Sequence, residues 1–130
     1  MILSIVILAF NGCAIKYTEN VKHTDKLKDN KFKKAFLQYW TYMFHKKYDK
    51  AYKMELPYFR FLYSKKDYIS KENLSNYKKL IINSIKKKGN IYEVDMVQEG
   101  NPVLIQDKWL YMDGKYYHVQ DDFLLYPKMR

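Results

Sequence analysis

The spacing of apolar residues changes near residue 80 from that of a helix to that of strands, and this change limits the possible folds more than any other feature. From Phe32 to Phe44 apolar side chains recur at intervals of three and four residues, the spacing of an amphipathic helix. From Leu80 onward apolar and polar residues alternate, as in half-buried strands. Helices followed by strands predict an α+β domain in which the helices pack on one face of an antiparallel sheet.

Three helical segments are predicted before residue 80. The first covers residues 32–44, with Tyr39 and Trp40 on its buried face. A second, short segment covers residues 51–56 and ends at a proline. The third is predicted near residues 71–80, with Ser70 as its N-cap.

Four strands are predicted after residue 80, and turns that contain glycine separate them. The strands cover residues 80–87, 91–99, 103–112 and 115–120. Asp113-Gly114 is the strongest turn signal, because a two-residue type I′ turn needs positive φ at both positions. This turn places Trp109 opposite His118 in the last hairpin.

The first 13 residues, MILSIVILAFNGC, resemble a bacterial lipoprotein signal. An apolar run, Ile2 to Phe10, is too short to span a bilayer and is followed after two residues by the only cysteine of the chain. The resemblance implies that residues 1–12 are cleaved and that Cys13 carries the lipid. Residues 13–30 lack apolar periodicity and are predicted to form a flexible tether. The alternative is that the apolar run is a buried strand and Cys13 a core thiol.

Residues 31–130 are long enough for one domain. With Cys13 acylated, this domain contains no disulfide and no thiolate metal site, so the packing of its aromatic residues has to stabilise it; the whole chain has 14 Tyr, 7 Phe and 2 Trp. The net charge of +10 comes almost wholly from lysines that are dispersed along the chain. No DNA- or RNA-binding signature accompanies this charge, so we do not expect nucleic acid as a partner.

The order of helices and strands, together with three local motifs, resembles the nuclear transport factor 2-like superfamily. The motifs are Tyr39-Trp40 in the first helix, YDKAY at residues 48–52, and KWLYMDGKYYHV at residues 108–119. The resemblance covers about residues 31–127. It implies a cystatin-like cone, in which a curved four-stranded meander wraps around a long helix and in some members encloses a pocket. Isomerase-like and dehydratase-like enzymes of the superfamily place an Asp base or a His-Asp pair, with Tyr donors, in that pocket.

The residues of this chain that could serve such a site are Asp95, Tyr117, His118 and Asp121. The strand pattern argues against a catalytic role, because it places Asp95 on the solvent face or at a sheet edge. His118 is expected beside Trp109 on an outer, partly exposed face. The three histidines show no metal-ligand spacing, and no glycine-rich phosphate loop is present, so neither a metal nor a cofactor is expected.

The densest basic patch is Lys86-Lys87-Lys88, in the first predicted hairpin. A solvated turn accounts for it, since charged strand edges discourage aggregation; contact with anionic headgroups or cell-wall polymers is the alternative.

The sequence predicts a membrane-anchored cell-envelope lipoprotein whose domain binds or supports a partner, such as an envelope protein or an anionic polymer, without catalysis. The competing hypothesis is a small-molecule-binding protein or an isomerase- or dehydratase-type enzyme that uses the cone pocket.

Overall fold

The computed structural model describes residues 20–120, which form the predicted α+β arrangement of helices and one sheet. The helices are α1 (Asn30–Phe44), α2 (Tyr48–Tyr52), α3 (Pro57–Leu62) and α4 (Lys65–Glu72). The strands are β1 (Val21–Lys22), β2 (Leu80–Lys88), β3 (Ile91–Gln98), β4 (Asn101–Met112) and β5 (Lys115–Val119). Within residues 20–120, no helix has the length and apolar character that crossing a membrane requires.

The five strands form one curled sheet in the order β1-β2-β3-β4-β5. Strands β2 to β5 are the predicted antiparallel meander, and β1 adds a fifth strand that runs parallel to β2. The last turn has the predicted geometry, with φ of 52° at Asp113 and 79° at Gly114. Trp109 pairs with His118, as this turn requires.

Helix α1 packs against the sheet and supplies much of the core. Asp29 caps it, because its carboxylate accepts hydrogen bonds from the backbone N–H groups of Lys31 and Phe32 at 3.0 and 3.1 Å. The ring of Phe32 stacks on Tyr92 of β3 with centroids 4.2 Å apart. The apolar face predicted for this helix is confirmed, since its buried residues are Phe32, Phe36, Leu37, Tyr39, Trp40 and Met43. We call the sheet face that packs on α1 the inner face.

The third predicted helix was placed too late in the chain. Helix α4 covers residues 65–72, and its N-cap is Ser64, whose hydroxyl accepts a hydrogen bond from a backbone N–H three residues on at 3.1 Å. Ser70 lies inside the helix. The error arises from Leu74, which mimics an inward position at helical spacing but is 87% exposed.

Residues 21–27 of the predicted tether are ordered. Val21 pairs with Leu80 of β2, and both Val21 and Leu27 are buried. The prediction of a flexible segment over residues 13–30 is therefore wrong for residues 21–27. Val21 and Leu27 are isolated apolar residues without periodicity, so the sequence pattern did not indicate that both are buried in the core. The predicted signal peptide, Cys13 and Asp121 lie outside the described residues.

Candidate functional site

His118 lies in the core and not on an outer face as predicted. It is 7% exposed, and its imidazole stacks on the ring of Tyr39 from α1 with centroids 4.2 Å apart and planes at 17°. Trp109 lies beside it, as expected, at a ring distance of 5.3 Å. The prediction failed because β5 carries aromatic residues on both faces, so its pattern does not reveal which face α1 covers.

Two buried carboxylates hold the imidazole of His118. Oε1 of Glu55 lies 2.8 Å from Nδ1, and Oδ1 of Asp107 lies 2.7 Å from Nε2. Burial by itself lowers the pKa of His118, but the charges of Glu55 and Asp107 outweigh burial and raise this pKa to about 10. At neutral pH both ring nitrogens therefore carry protons, and each donates a hydrogen bond to one carboxylate.

The other oxygen of each carboxylate also accepts hydrogen bonds. For Glu55 the donors are the hydroxyl of Tyr39 (2.6 Å), the hydroxyl of Tyr68 (2.7 Å) and Nε2 of Gln120 (3.0 Å). For Asp107 they are the indole N–H groups of Trp40 (3.0 Å) and Trp109 (2.8 Å). Two causes raise the pKa of Tyr39 and of Tyr68: burial is the larger, and the negative charge of Glu55 is the second. Both hydroxyls therefore remain protonated and act as donors. We call His118, its two acids and these five donors the buried network.

Glu55 reaches the buried network because the loop between α2 and α3 is hydrogen-bonded to β5. The N–H of Leu56 donates to the carbonyl oxygen of His118 at 2.9 Å, and the N–H of His118 donates to the carbonyl oxygen of Met54 at 2.8 Å. Nε of Arg60 donates to the carbonyl oxygen of Glu55 at 3.1 Å. The loop thus pairs with the edge of β5 through one parallel β-bridge, between Glu55 and His118.

The buried network includes two acids that the sequence analysis missed. Asp107 alternates with Trp109 along β4, so a residue facing the core beside the tryptophan was a detectable signal. Glu55 gave no such signal, since its place depends on a contact with a strand 63 residues further along the chain.

Asp95, predicted on the solvent face, shares the outer face with Glu93 but is buried. Its Oδ2 lies 3.8 Å from Nζ of Lys86 and 3.4 Å from the hydroxyl of Ser84. Because Asp95 and His118 lie on opposite faces of the sheet, the structure does not bring them together. Among the described residues, no group of three or more His, Cys, Asp or Glu side chains is arranged to hold a metal ion.

The Lys86-Lys87-Lys88 patch is only partly a free basic surface. Lys86 lies near two acids, Glu93 at 4.0 Å and Asp95 at 3.8 Å. Nζ of Lys87 lies 5.3 Å from the ring centroid of Tyr92. The acids offset part of the positive charge that the sequence predicted at this hairpin.

A larger basic surface lies between α1, the chain around α3, and the turn from β4 to β5. It is an open groove of about 820 Å³. Its cationic lining residues are Lys31, Lys34, Lys53, Arg60 and Lys115. None of its described lining residues is acidic, and Tyr117 is the one predicted site residue among them. We call this surface the basic groove.

The basic groove has the chemistry of an anion-binding site. Lysine ammonium groups and the arginine guanidinium group bind phosphate, sulfate and carboxylate oxygens by charge-assisted hydrogen bonds. Lys34, Lys53 and Lys115 are exposed, so their ammonium groups are accessible to a ligand. Gln38 and Tyr116 add neutral polar groups to the lining.

Comparisons with known proteins bear on the fold. No protein-family model and no curated protein matches the chain. The fold is similar to the solution structure of a SEC-C motif containing protein from Rhodopseudomonas palustris, with a TM-score of 0.51 and 15% sequence identity over 68% of this chain and 74% of that chain. This likeness concerns the fold alone. Membership of the nuclear transport factor 2-like superfamily stays a prediction.

Proposed function

We propose that this protein is a non-catalytic binding module, lipid-anchored in the cell envelope, that holds an anionic ligand in the basic groove. The observation that carries the proposal is the convergence of five cations without an acid among the described lining residues. These cations come from separate parts of the chain: two from α1, one after α2, one from α3 and one from β5. The fold, and not one local run of lysines, brings them together.

Binding is favoured over catalysis by the way the acids and the histidine are used. A general base has to lie within hydrogen-bond reach of the proton it removes. His118 instead donates both of its N–H groups to Glu55 and Asp107, and their oxygens are occupied by further donors. The described lining of the basic groove offers Tyr117 but no His, Asp, Glu or Cys.

The ligand that fits best is a polymer with several phosphate or carboxylate groups. A single phosphate would balance only part of the five positive charges, whereas an open groove of about 820 Å³ admits a chain that passes along it. The predicted lipid at Cys13 would keep the domain close to anionic polymers of the envelope. Tyr116 and Tyr117 give the groove an aromatic wall beside the charges.

A charge-reversal experiment tests this proposal. Lys34→Glu combined with Lys115→Glu reverses two charges in the basic groove, while Lys87→Glu combined with Lys88→Glu changes the net charge equally at the β2–β3 hairpin. Affinity is measured by fluorescence anisotropy with labelled inorganic polyphosphate and labelled poly-glutamate. We expect the groove pair to weaken binding about tenfold or more, the hairpin pair to weaken it less than about threefold, and added salt to weaken binding throughout.

Equal losses in the two double variants would mean that bulk charge alone attracts the polymer, and the proposal would then be wrong. Failure of the unaltered protein to bind either polymer would also reject it. A preference between the two probes separates phosphate from carboxylate recognition. Circular dichroism of both double variants checks that their folds are intact.

A further inference from the structure

We infer that the end of α3 is a membrane-contact surface that inserts into the headgroup region of an anionic bilayer. Three consecutive residues there are exposed although each is large and apolar or aromatic: Phe61 by 83%, Leu62 by 44% and Tyr63 by 49%. We call residues 61–63 the apolar tip. Scattered exposed apolar residues are ordinary, but a contiguous group marks an interaction surface.

The apolar tip is held in its exposed position by contacts behind it. Phe59 is the buried residue of α3, and its ring lies 5.0 Å from the ring of Tyr63. The hydroxyl of Tyr52 donates to the carbonyl oxygens of Arg60 and Tyr63, at 3.1 and 2.6 Å. These bonds fix the backbone on both sides of Phe61, so the side chain is presented outward without further ordering.

The charge around the apolar tip matches an anionic membrane. Between residues 53 and 67 the cations are Lys53, Arg60, Lys65 and Lys66, and the acids are Glu55 and Asp67. Glu55 is fully buried and bonded to His118, so four cations face a single exposed acid, Asp67. A basic rim around exposed Phe, Leu and Tyr is the composition of segments that lie at the membrane–water interface.

The short stretch of sequence between Cys13 and β1 limits how far the domain can lie from the bilayer, an argument that rests on the lipid anchor of the proposed function. Val21 already belongs to β1, and Asn20 before it lies only seven residues after Cys13. A fully extended chain of that length spans at most about 25 Å. An anchored domain therefore stays within reach of the bilayer, and an apolar tip with a basic rim is suited to contact it.

Site-directed tryptophan fluorescence tests the inference on the mature protein purified from membranes, with the lipid at Cys13 that the proposed function requires. The two native tryptophans are buried, so an added surface tryptophan reports its own environment. Phe61→Trp probes the apolar tip, and Leu74→Trp is the matched control at another highly exposed apolar position. Vesicles of phosphatidylglycerol with brominated acyl chains quench an indole that enters the bilayer.

We expect Phe61→Trp to show a blue shift and loss of at least about half of the added emission on vesicles, with less than about a tenth lost for Leu74→Trp. Neutral phosphatidylcholine vesicles should quench Phe61→Trp less. Absence of quenching in Phe61→Trp while the protein floats with the vesicles would overturn the inference and leave the anchor standing. Failure to associate with vesicles at all would overturn both.

Two further measurements separate membrane contact from polymer binding in the basic groove and from self-association. Phe61→Ser should leave polyphosphate affinity unchanged, and Lys34→Glu with Lys115→Glu should leave the quenching of Phe61→Trp largely intact, because the two surfaces are tested by different residues. A vesicle-free dimer that Phe61→Ser dissociates would assign the apolar tip to a second copy of this chain and reject the membrane contact.

Discussion

A charged imidazolium in a protein core is stable only where its surroundings compensate it. In the buried network one imidazolium faces the two carboxylates of Glu55 and Asp107, and five neutral N–H and O–H donors stabilise the remaining negative charge. Removing either acid would leave one imidazole N–H group and the other donors to that acid without an acceptor in the buried core, at a cost of about 3–5 kcal/mol. The buried network therefore ties α1, the loop before α3, β4 and β5 together.

His118 makes stability depend on pH in a direction that can be measured. Its folded pKa of about 10 lies above the unfolded value of about 6.5, so its stabilisation is complete below about pH 6.5 and is lost as pH rises toward 10. Tyr39 and Tyr68, whose pKa values are also raised, act only above about pH 10. We expect the free energy of unfolding, from urea denaturation, to fall by about 2–3 kcal/mol between pH 6.5 and pH 9.

The control is His118→Gln, which should be less stable at pH 6.5 but show a nearly flat profile up to pH 9. Equal slopes in the two proteins would mean that His118 is not the titrating group. Should the variant fail to fold, NMR of the unaltered protein gives the same answer, because the His118 ring is expected to remain protonated at pH 8.

At the scale of elements, the sequence predicted what local signals specify. Helix α1 follows from its amphipathic spacing, and the β4–β5 hairpin follows from Asp113-Gly114. Strand β1 could not be predicted, because its two residues become a strand only by pairing with β2, 59 residues further along the chain. The helix that corresponds to α4 was predicted too late in the chain. Ser64 and Ser70 are both chemically suitable N-caps, and only tertiary packing selects between them.

Leu27 tests whether the segment before α1 belongs to the domain. Its side chain is buried against the core, so Leu27→Ala should lower the free energy of unfolding by about 2–5 kcal/mol. Lys28→Ala, at the exposed neighbouring position, should change it by less than about 0.5 kcal/mol. Urea denaturation measures both. A small effect at Leu27 would restore the flexible tether that the sequence suggested.

At the scale of the whole molecule, the fold does not determine the function. An arrangement of helices on a curled sheet is similar to that of a SEC-C motif containing protein with 15% identity, but such a scaffold can carry many activities. The basic groove could not be predicted from the sequence, since its cations lie up to 84 residues apart (Lys31 to Lys115) and meet only in the folded chain. Arg60 lines the groove and directly precedes the apolar tip, so the two proposed surfaces adjoin along the chain.

Cys13 tests the predicted attachment of the molecule to a membrane. The lipoprotein-like signal predicts cleavage after residue 12 and a lipid on the Cys13 thiol and amino terminus. Cys13→Ser removes the acceptor, so we expect either an unprocessed precursor or release from the membrane fraction, measured by fractionation, immunoblotting and intact mass. Lys16→Ser, three residues further on, is the control and should keep both the mass increment of the lipid and the membrane location. If the Cys13→Ser protein is processed to the unaltered size and still sediments with membranes, the anchor is wrong and the apolar run requires the other interpretation, a buried strand.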